Sequence, residues 1–120
     1  MKKILVVEDD PSLLELEKSI LEDLYTVVTA ENGKEALKKV KEESPDLIVL
    51  DLMMPVMDGL QFCEELKKEK KHENIPIVMV TAKNKREDME EGYLIGAQAY
   101  IFKPFTADDL LKVVELLIHD

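Results

Sequence analysis

The stretch ILVVEDDP, residues 4–11, holds the pattern from which the rest of the fold can be predicted. Its four leading aliphatic residues are too few for a helix and are typical of a buried parallel strand. Glu8 and Asp9 follow where that strand should end. Asp10 and Pro11 then supply an aspartate N-cap and a proline at the first helical position, which is a standard helix start. The stretch therefore predicts a strand, an acidic turn and a helix.

Similar units recur along the chain. Three more short apolar runs indicate buried strands and lie at residues 47–50, 77–80 and 99–102. The segment 26–30 is more mixed in polarity and rich in β-branched residues, which suits an edge strand. Five strands are therefore predicted.

Helical patterns separate the strands. The first helix should carry Leu13, Leu16, Ile20 and Leu24, and the second should run over residues 33–42. The third should begin near Asp58 and bury Phe62, Cys63 and Leu66. The fourth should lie within residues 86–95, ending before Gly96, and the fifth should follow a Thr106 cap. Strict alternation predicts an α/β, doubly wound, flavodoxin-like parallel sheet with five helices on both faces.

Length and composition limit the function. A chain of 120 residues fits one domain over residues 1–120. Sixteen basic against 26 acidic residues give a net charge of −10, which disfavours direct binding to nucleic acid or an anionic membrane. Cys63 is the only cysteine, and neither a signal peptide nor an apolar run long enough to span a bilayer is visible, so we expect a cytoplasmic location.

Polar residues follow four of the predicted strands and should converge on one rim of the sheet, where ligands bind in such folds. They are Glu8, Asp9, Asp51, Thr81 and Lys103. Clustered carboxylates repel one another unless a cation offsets them, so the rim predicts a metal site with oxygen ligands. Mg²⁺ fits best, because it needs only one or two carboxylates and shares its remaining positions with water and phosphoryl oxygens.

Asp51 is the best-placed nucleophile, because it ends a central strand. One of its carboxylate oxygens would attack phosphorus in line while the metal and the Lys103 ammonium neutralise phosphoryl oxygens. Of Glu8 and Asp9, one can hold the metal directly and the other through water. The Thr81 hydroxyl could donate a hydrogen bond to the acquired group and pull its loop inward. These residues predict an aspartyl-phosphate switch.

Four motifs carry a resemblance that covers essentially the whole chain: VVEDD at 6–10, IVLDLMMPVMDG at 48–59, VTA at 80–82 and KPF at 103–105. Through them the sequence resembles the bacterial two-component response-regulator receiver domains, chemotaxis regulators included. The strand order 2-1-3-4-5 is expected because it is the order of that family, and it is carried over from the resemblance. The resemblance also implies phosphorylation of Asp51 by a phosphohistidine and Mg²⁺ bound by Glu8, Asp9, Asp51 and the main-chain carbonyl of Met53.

The resemblance implies further roles. Thr81 and Tyr100 would shift together on activation, although Tyr100 alone could equally be a packing residue. The peptide bond between Lys103 and Pro104 would be cis. The partners would be a sensor histidine kinase or a phosphorelay histidine protein, docked on the first helix and the loop at 104–105. A downstream protein or a second copy would read the fourth helix, fifth strand and fifth helix, about residues 86 to 118.

Other classes of protein fit less well. A flavodoxin-like cofactor binder should cradle a phosphate after the first strand, where this chain is acidic and has no glycine-rich loop. An aspartyl phosphatase generally has a second acid two residues after its nucleophile, where Met53 stands. A structural adaptor would have no need of the acidic rim. We therefore expect no enzyme acting on external substrates, only a domain that gains and loses one phosphoryl group. Because the chain ends just after the fifth predicted helix, we also expect either a stand-alone messenger or an excised receiver, without an output domain of its own.

Overall fold

A computed structural model describes residues 1–51, 59–81 and 97–118. It contains a five-stranded, all-parallel sheet in the order β2-β1-β3-β4-β5. The strands are β1 (Lys3–Val7), β2 (Thr26–Ala30), β3 (Leu47–Asp51), β4 (Ile77–Thr81) and β5 (Ala99–Phe102). The five predicted strands, the edge position of β2 and the order 2-1-3-4-5 are confirmed. The prediction that residues 99–102 form a buried strand is wrong in part, because β5 is the other edge strand and only Ile101 in it is buried. Asp51 and Thr81 are the last residues of their strands and do not follow them.

Four helices lie in the described ranges. They are α1 (Pro11–Leu21), α2 (Gly33–Glu43), α3 (Gly59–Lys67) and, after β5, α4 (Ala107–Leu117). The helix predicted within residues 86–95 lies outside the described residues, as does the predicted third-helix start at Asp58. No helix in the described ranges is long and apolar enough to cross a lipid bilayer.

Side chains that close the first turn fix where the helices begin. The Asp10 carboxylate accepts hydrogen bonds from the backbone N–H groups of Ser12 and Leu13, at 2.9 and 3.4 Å. Thr106 and Asp109 form a reciprocal capping box at the start of α4, in which each side chain satisfies a backbone N–H of the other residue. Both predicted caps are confirmed.

The apolar stripe predicted for α1 is only partly buried: Ile20 packs against the buried apolar cluster. Leu16 is half exposed, and Leu24 lies beyond the helix and is also half exposed. The residues that α1 buries are Glu17 and Leu21. Leucine or isoleucine at 13, 16, 20 and 24 suggested an apolar helical stripe, but the fully buried side chains of the helix, Glu17 and Leu21, lie on the neighbouring stripe.

Alternating side chains divide the core between the two faces of the sheet. On one face, α2 and α3 cover an apolar cluster that includes Leu5, Val7, Ile48, Leu50, Phe62, Cys63 and Leu66. On the other, α1 and α4 cover a cluster that includes Ile4, Val6, Leu21, Leu47, Val49, Leu110 and Val114. The predicted burial of Phe62, Cys63 and Leu66 by α3 is confirmed. We call these the α2/α3 face and the α1/α4 face.

Candidate functional site

The register of the sheet brings the predicted polar residues to one rim. Val7 lies opposite Leu50, so Glu8 and Asp51 are the next residues on two neighbouring strands. Asp51 lies opposite Val80, and Thr81 lies opposite Phe102. Lys103 therefore stands one residue beyond Thr81, and its backbone N–H donates a 2.8 Å hydrogen bond to the Thr81 carbonyl. Strand pairing alone gathers these residues at the carboxyl edge of the sheet.

Three carboxylates form the centre of this rim. Glu8, Asp9 and Asp51 each offer one oxygen, and these oxygens lie within 4.8 Å of one another. Glu8 and Asp51 are buried, whereas Asp9 is exposed. The cluster is thus closed on the protein side and reached by solvent at Asp9. Carboxylates this close repel one another, so a cation is the natural partner of the group.

The surroundings of Glu8 raise the pKa of its carboxyl. Burial, together with the neighbouring Asp51 carboxylate, raises the pKa of its carboxyl to about 7 against opposing contributions from Lys103 and the Asp10 backbone N–H. One oxygen, Oε1, accepts a 3.3 Å hydrogen bond from that N–H. The other, Oε2, is buried and accepts no hydrogen bond from any described residue. A buried oxygen in this state is costly, and a metal ion would satisfy it.

Lys103 supplies the positive charge. Its Nζ lies 3.5 Å from Asp51 Oδ2 and 3.6 Å from Glu8 Oε2. These are ion-pair distances but long for hydrogen bonds, so the ammonium is held by charge between two carboxylates and is not locked onto either one. The Lys103–Pro104 peptide bond is cis.

Of the remaining predicted residues, the structure describes Thr81 and Tyr100, which lie on β4 and β5. Thr81 is buried at the end of β4, next to the strand that Asp51 ends. Tyr100 is half-buried on β5 and packs against the cluster of the α2/α3 face. The main-chain carbonyl of Met53 lies outside the described residues.

The donor set fits a metal ion. It consists of oxygen ligands only, it has more negative than positive charge, and it contains a buried carboxylate oxygen that the described residues leave without a hydrogen bond. Hard divalent cations such as Mg²⁺ and Ca²⁺ prefer such oxygens. The acidic group of the described chain can therefore hold a metal ion.

Cys63, in contrast, takes no part in the site. It is fully buried on α3, and burial raises the pKa of its thiol to about 12 despite the opposing charge of Lys67. A thiol in that state is not reactive, which agrees with the structural role predicted for it.

Glu17 is the site-related residue that the sequence did not reveal. It is 1% exposed on α1. Burial, together with the charges of Glu8 and Asp51, raises its pKa to about 8 against an opposing contribution from Lys103. Its spacing from Leu14 and Leu21, three residues before and four after, was the available signal. The leucine stripe on the adjacent face hid it.

Comparison with known proteins agrees with the fold. The profile of the response regulator receiver domain matches residues 4–115. The alkaline phosphatase synthesis transcriptional regulatory protein PhoP of Bacillus subtilis is 43% identical over 119 residues, which are 98% of this chain and 49% of PhoP. The chain thus spans about half the length of the curated relatives it matches first.

Two solved structures extend the comparison. Chemotaxis protein CheY4 of Vibrio cholerae is 34% identical with a TM-score of 0.93, and the match covers 98% of this chain and 99% of CheY4. The receiver domain of sensor histidine kinase PA1611 from Pseudomonas aeruginosa, solved with a magnesium ion in its active-site cleft, is 27% identical with a TM-score of 0.89; the match covers 97% of this chain and 96% of that one.

The fold and the acidic rim define a phosphoryl-accepting signalling domain. This chain belongs to the response regulator receiver domain family of two-component systems.

Proposed function

We propose that Asp51 is the phosphoryl acceptor and that the donor is a phosphohistidine on a sensor kinase or a phosphorelay protein. The observation that carries the proposal is the position of the Lys103 ammonium, 3.5 Å from Asp51 Oδ2, beside a carboxylate cluster suited to a metal ion. An acid placed this way has a cation beside the oxygen that would bond to phosphorus.

In the proposed transfer one bond to phosphorus forms as another breaks. A carboxylate oxygen of Asp51 forms a bond to phosphorus while the bond from phosphorus to the imidazole nitrogen of the donor breaks. The electron pair of that bond stays on the nitrogen, which takes up a proton from water. Lys103 neutralises one phosphoryl oxygen as the group arrives.

Mg²⁺ is the proposed cation, held by Glu8, Asp9, Asp51 and the carbonyl of Met53. When bound, it would neutralise phosphoryl oxygens as a Lewis acid. The similar PA1611 receiver domain carries magnesium in its cleft, which supports this choice. Glu8 and Asp51 would hold the ion from the buried side, and Asp9 would hold it from the side open to solvent.

Thr81 and Tyr100 are the proposed switch. The Thr81 hydroxyl would donate a hydrogen bond to the phosphoryl group, and Tyr100 would move with it. Beside Tyr100, the β5 and α4 surface has a cleft of 420 Å³ lined also by Phe102, Lys112 and Val113. We propose that a downstream protein or a second copy of the chain reads this surface, together with residues 86–95.

The kinase would dock at a different cleft, one that the Lys103 side chain helps to line. A second cleft, of 390 Å³, lies between α1 and the segment after β5, and is lined by Leu13, Leu16, Lys103, Pro104 and Phe105. Half-exposed leucines beside the proposed catalytic lysine would give a phosphohistidine-bearing partner an apolar surface close to the acceptor.

The proposed function is confined to one domain. Residues 1–120 form a single receiver domain, which catalyses only its own phosphorylation and dephosphorylation. It binds neither nucleic acid nor membrane directly, because its net charge is −10. Its single cysteine cannot form an internal disulfide, which fits a location in the reducing cytoplasm.

Intact mass spectrometry tests the acceptor. With Mg²⁺ and acetyl phosphate, the wild type should gain one phosphoryl group and Asp51→Ala should gain none. Asp23→Ala, which removes an exposed aspartate after α1, is the matched control and should behave like the wild type. An unmodified wild type, or a modified Asp51→Ala, would overturn the assignment.

Two further variants separate the metal from the ammonium. Asp9→Ala should weaken Mg²⁺ binding measured by calorimetry, because it removes a ligand. Lys103→Ala should slow phosphoryl transfer by about 100-fold or more while Mg²⁺ still binds, because it removes transition-state charge. If both variants bind Mg²⁺ and accept phosphoryl groups as the wild type does, the assigned roles are wrong.

A further inference from the structure

The strand β2 leaves one edge of the sheet open. It stands first in the order β2-β1-β3-β4-β5 and pairs only with β1 among the described residues. Its sequence, TVVTA, contains neither a charge nor a proline. Proteins commonly protect a free edge with charged residues or proline, because an unprotected edge can pair with another strand. The other edge strand, β5, is followed directly by Lys103 and Pro104, so the two edges differ.

Two hydrogen bonds at the ends of β2 show which of its backbone groups face β1. The Thr26 N–H donates to the Lys2 carbonyl at 2.9 Å, and the Ala30 carbonyl accepts from the Glu8 N–H at 3.0 Å. Successive residues of a parallel strand direct their backbone groups to opposite sides. The first and last residues of β2 face β1, so the second and fourth residues of the strand face the open edge.

The residues that face the open edge are Val27 and Thr29. Their N–H and carbonyl groups have no hydrogen-bond partner on that side among the described residues. Both residues are half-buried, so a second chain can reach them. Val27 packs against the cluster of the α1/α4 face, and Val28, also half-buried, packs against that of the α2/α3 face. A strand added here would gain ladder hydrogen bonds and cover apolar side chains on both faces.

The charges around this edge favour a basic partner. Exposed acids stand at both ends of β2, Glu22 and Asp23 before it and Glu31 after it. Lys2 and Lys34 also lie near these ends and offset part of that charge. The whole chain carries a net charge of −10. A second copy would bring a further −10 and be repelled, whereas a basic segment would be attracted.

We propose that the open edge of β2 binds an extended, basic segment of a partner protein as a further strand of the sheet. The backbone of that segment bonds to Val27 and Thr29, its β-branched side chains pack beside Val27 and Val28, and its basic ends lie near the acids at the two ends of β2. This inference goes beyond the proposed function and does not depend on phosphoryl transfer to Asp51.

Amide hydrogen exchange tests the proposed contact residue by residue. The probe is a capped peptide of about nine residues, with threonine and valine in its middle and lysines at both ends. Exchange is followed by NMR with and without saturating peptide. Exchange at Val27 and Thr29 should slow by about tenfold or more, because their N–H groups gain partners. Exchange at Val28, whose N–H already faces β1, should change by less than about twofold.

Variants separate the backbone bonds from the charges, and calorimetry measures peptide binding to each. Thr29→Pro removes one outward N–H and leaves the bonds to β1 in place, so it should weaken binding by about tenfold or more. Glu31→Lys should weaken binding by about threefold or more, whereas Glu115→Lys, the same charge change on α4, should weaken it by less than about twofold. Thermal unfolding checks that each variant is folded. A peptide with every middle amide N-methylated tests the same bonds on the wild type and should not bind.

Each outcome supports or overturns the inference. Unchanged exchange at Val27 and Thr29, undiminished binding of the methylated peptide, or equal binding of a peptide with glutamate in place of lysine overturns it. Sedimentation tests the other occupant: if the chain alone forms a dimer that Thr29→Pro abolishes, the edge binds a second copy and the basic partner is wrong. None of these results bears on phosphoryl gain at Asp51, so the two proposals fail separately.

Discussion

The two faces of the sheet bury different kinds of side chain. Under α2 and α3 lies an apolar cluster whose largest fully buried side chain is Phe62. The polar side chain buried beside it, His72, has a partner, since its Nδ1 lies 3.2 Å from Glu69 Oε2. Under α1 and α4 an apolar cluster of similar size lies beside Glu17, which is buried and has no hydrogen-bond partner among the described residues. The α1/α4 face also carries charged side chains next to the site. The residues that would be best for stability are therefore not all best for the chemistry there.

The largest effect should come from emptying the apolar face. Phe62→Ala removes a fully buried ring and should lower the free energy of unfolding by about 4 kcal/mol, through lost burial and the cavity left behind. Urea denaturation measures it. Glu64→Ala, on the exposed side of the same helix, should change stability by less than about 0.5 kcal/mol. A loss under about 1 kcal/mol for Phe62→Ala would mean that this face is loosely packed.

The opposite sign is expected on the other face. Glu17→Leu replaces a buried carboxyl with a side chain that suits its neighbours and should raise the free energy of unfolding by about 3 kcal/mol near pH 8. Urea denaturation at several pH values tests it, with Glu15→Leu as the exposed control.

The pH dependence of that gain has a defined sign. The folded-state pKa of Glu17, about 8, lies above its ordinary value of 4.5, so between those values the folded protein binds more protons than the unfolded chain. Wild-type stability therefore falls as pH rises from about 4.5 to about 8 and levels off above. The advantage of Glu17→Leu should grow over that window. A gain that is the same near pH 5 and pH 8 would show that Glu17 does not titrate as a buried acid.

Most of the fold was predictable from the sequence, for a physical reason. Strands buried on both sides must be apolar throughout, so the runs at 4–7, 47–50 and 77–80 can be recognised as strands from the sequence. Parallel strands bring their carboxyl ends to one edge, so the convergence of Glu8, Asp51 and Lys103 follows from order and register. Helix starts are equally local, because Asp10 and Thr106 satisfy N–H groups two or three residues away.

Helix orientation was the part that local sequence could not determine. Leu13, Leu16 and Ile20 form a regular stripe, and a helix considered alone would bury it. α1 instead buries the stripe of Leu14, Glu17 and Leu21, with Ile20 packed beside it, whereas Leu13 and Leu16 border an open cleft beside Phe105. A helix that both packs on a sheet and offers a docking surface has two apolar stripes, and only tertiary contacts determine which one is covered.

Helix caps allow a finer comparison of the two faces. At the start of α4, Thr106 Oγ1 accepts from the Asp109 N–H at 3.1 Å while Asp109 Oδ2 accepts from the Thr106 N–H at 2.9 Å. Asn32 caps α2 on the other face through one bond to the Glu35 N–H, at 2.8 Å. Thr106→Ala and Asn32→Ala should each lower the free energy of unfolding by about 1 kcal/mol. Urea denaturation of Asp109→Ala checks the box: it should lose part of what Thr106→Ala loses, and no loss would show that only one of the two bonds matters.

The smallest expected effect tests whether the apolar face is fully optimised. Ser44 ends α2 in the left-handed region, with φ 47° and ψ 62°, and its N–H donates to the Val40 carbonyl. Glycine adopts this backbone without the Cβ clash and keeps that hydrogen bond, so Ser44→Gly should raise the free energy of unfolding by about 0.5 kcal/mol, net of the entropy that glycine adds to the unfolded chain. Ser19→Gly, inside α1, should instead lower it by about 0.5 kcal/mol. If Ser44→Gly also destabilises, the serine side chain contributes more at this position than its backbone strain costs, and the α2/α3 face is already near its optimum.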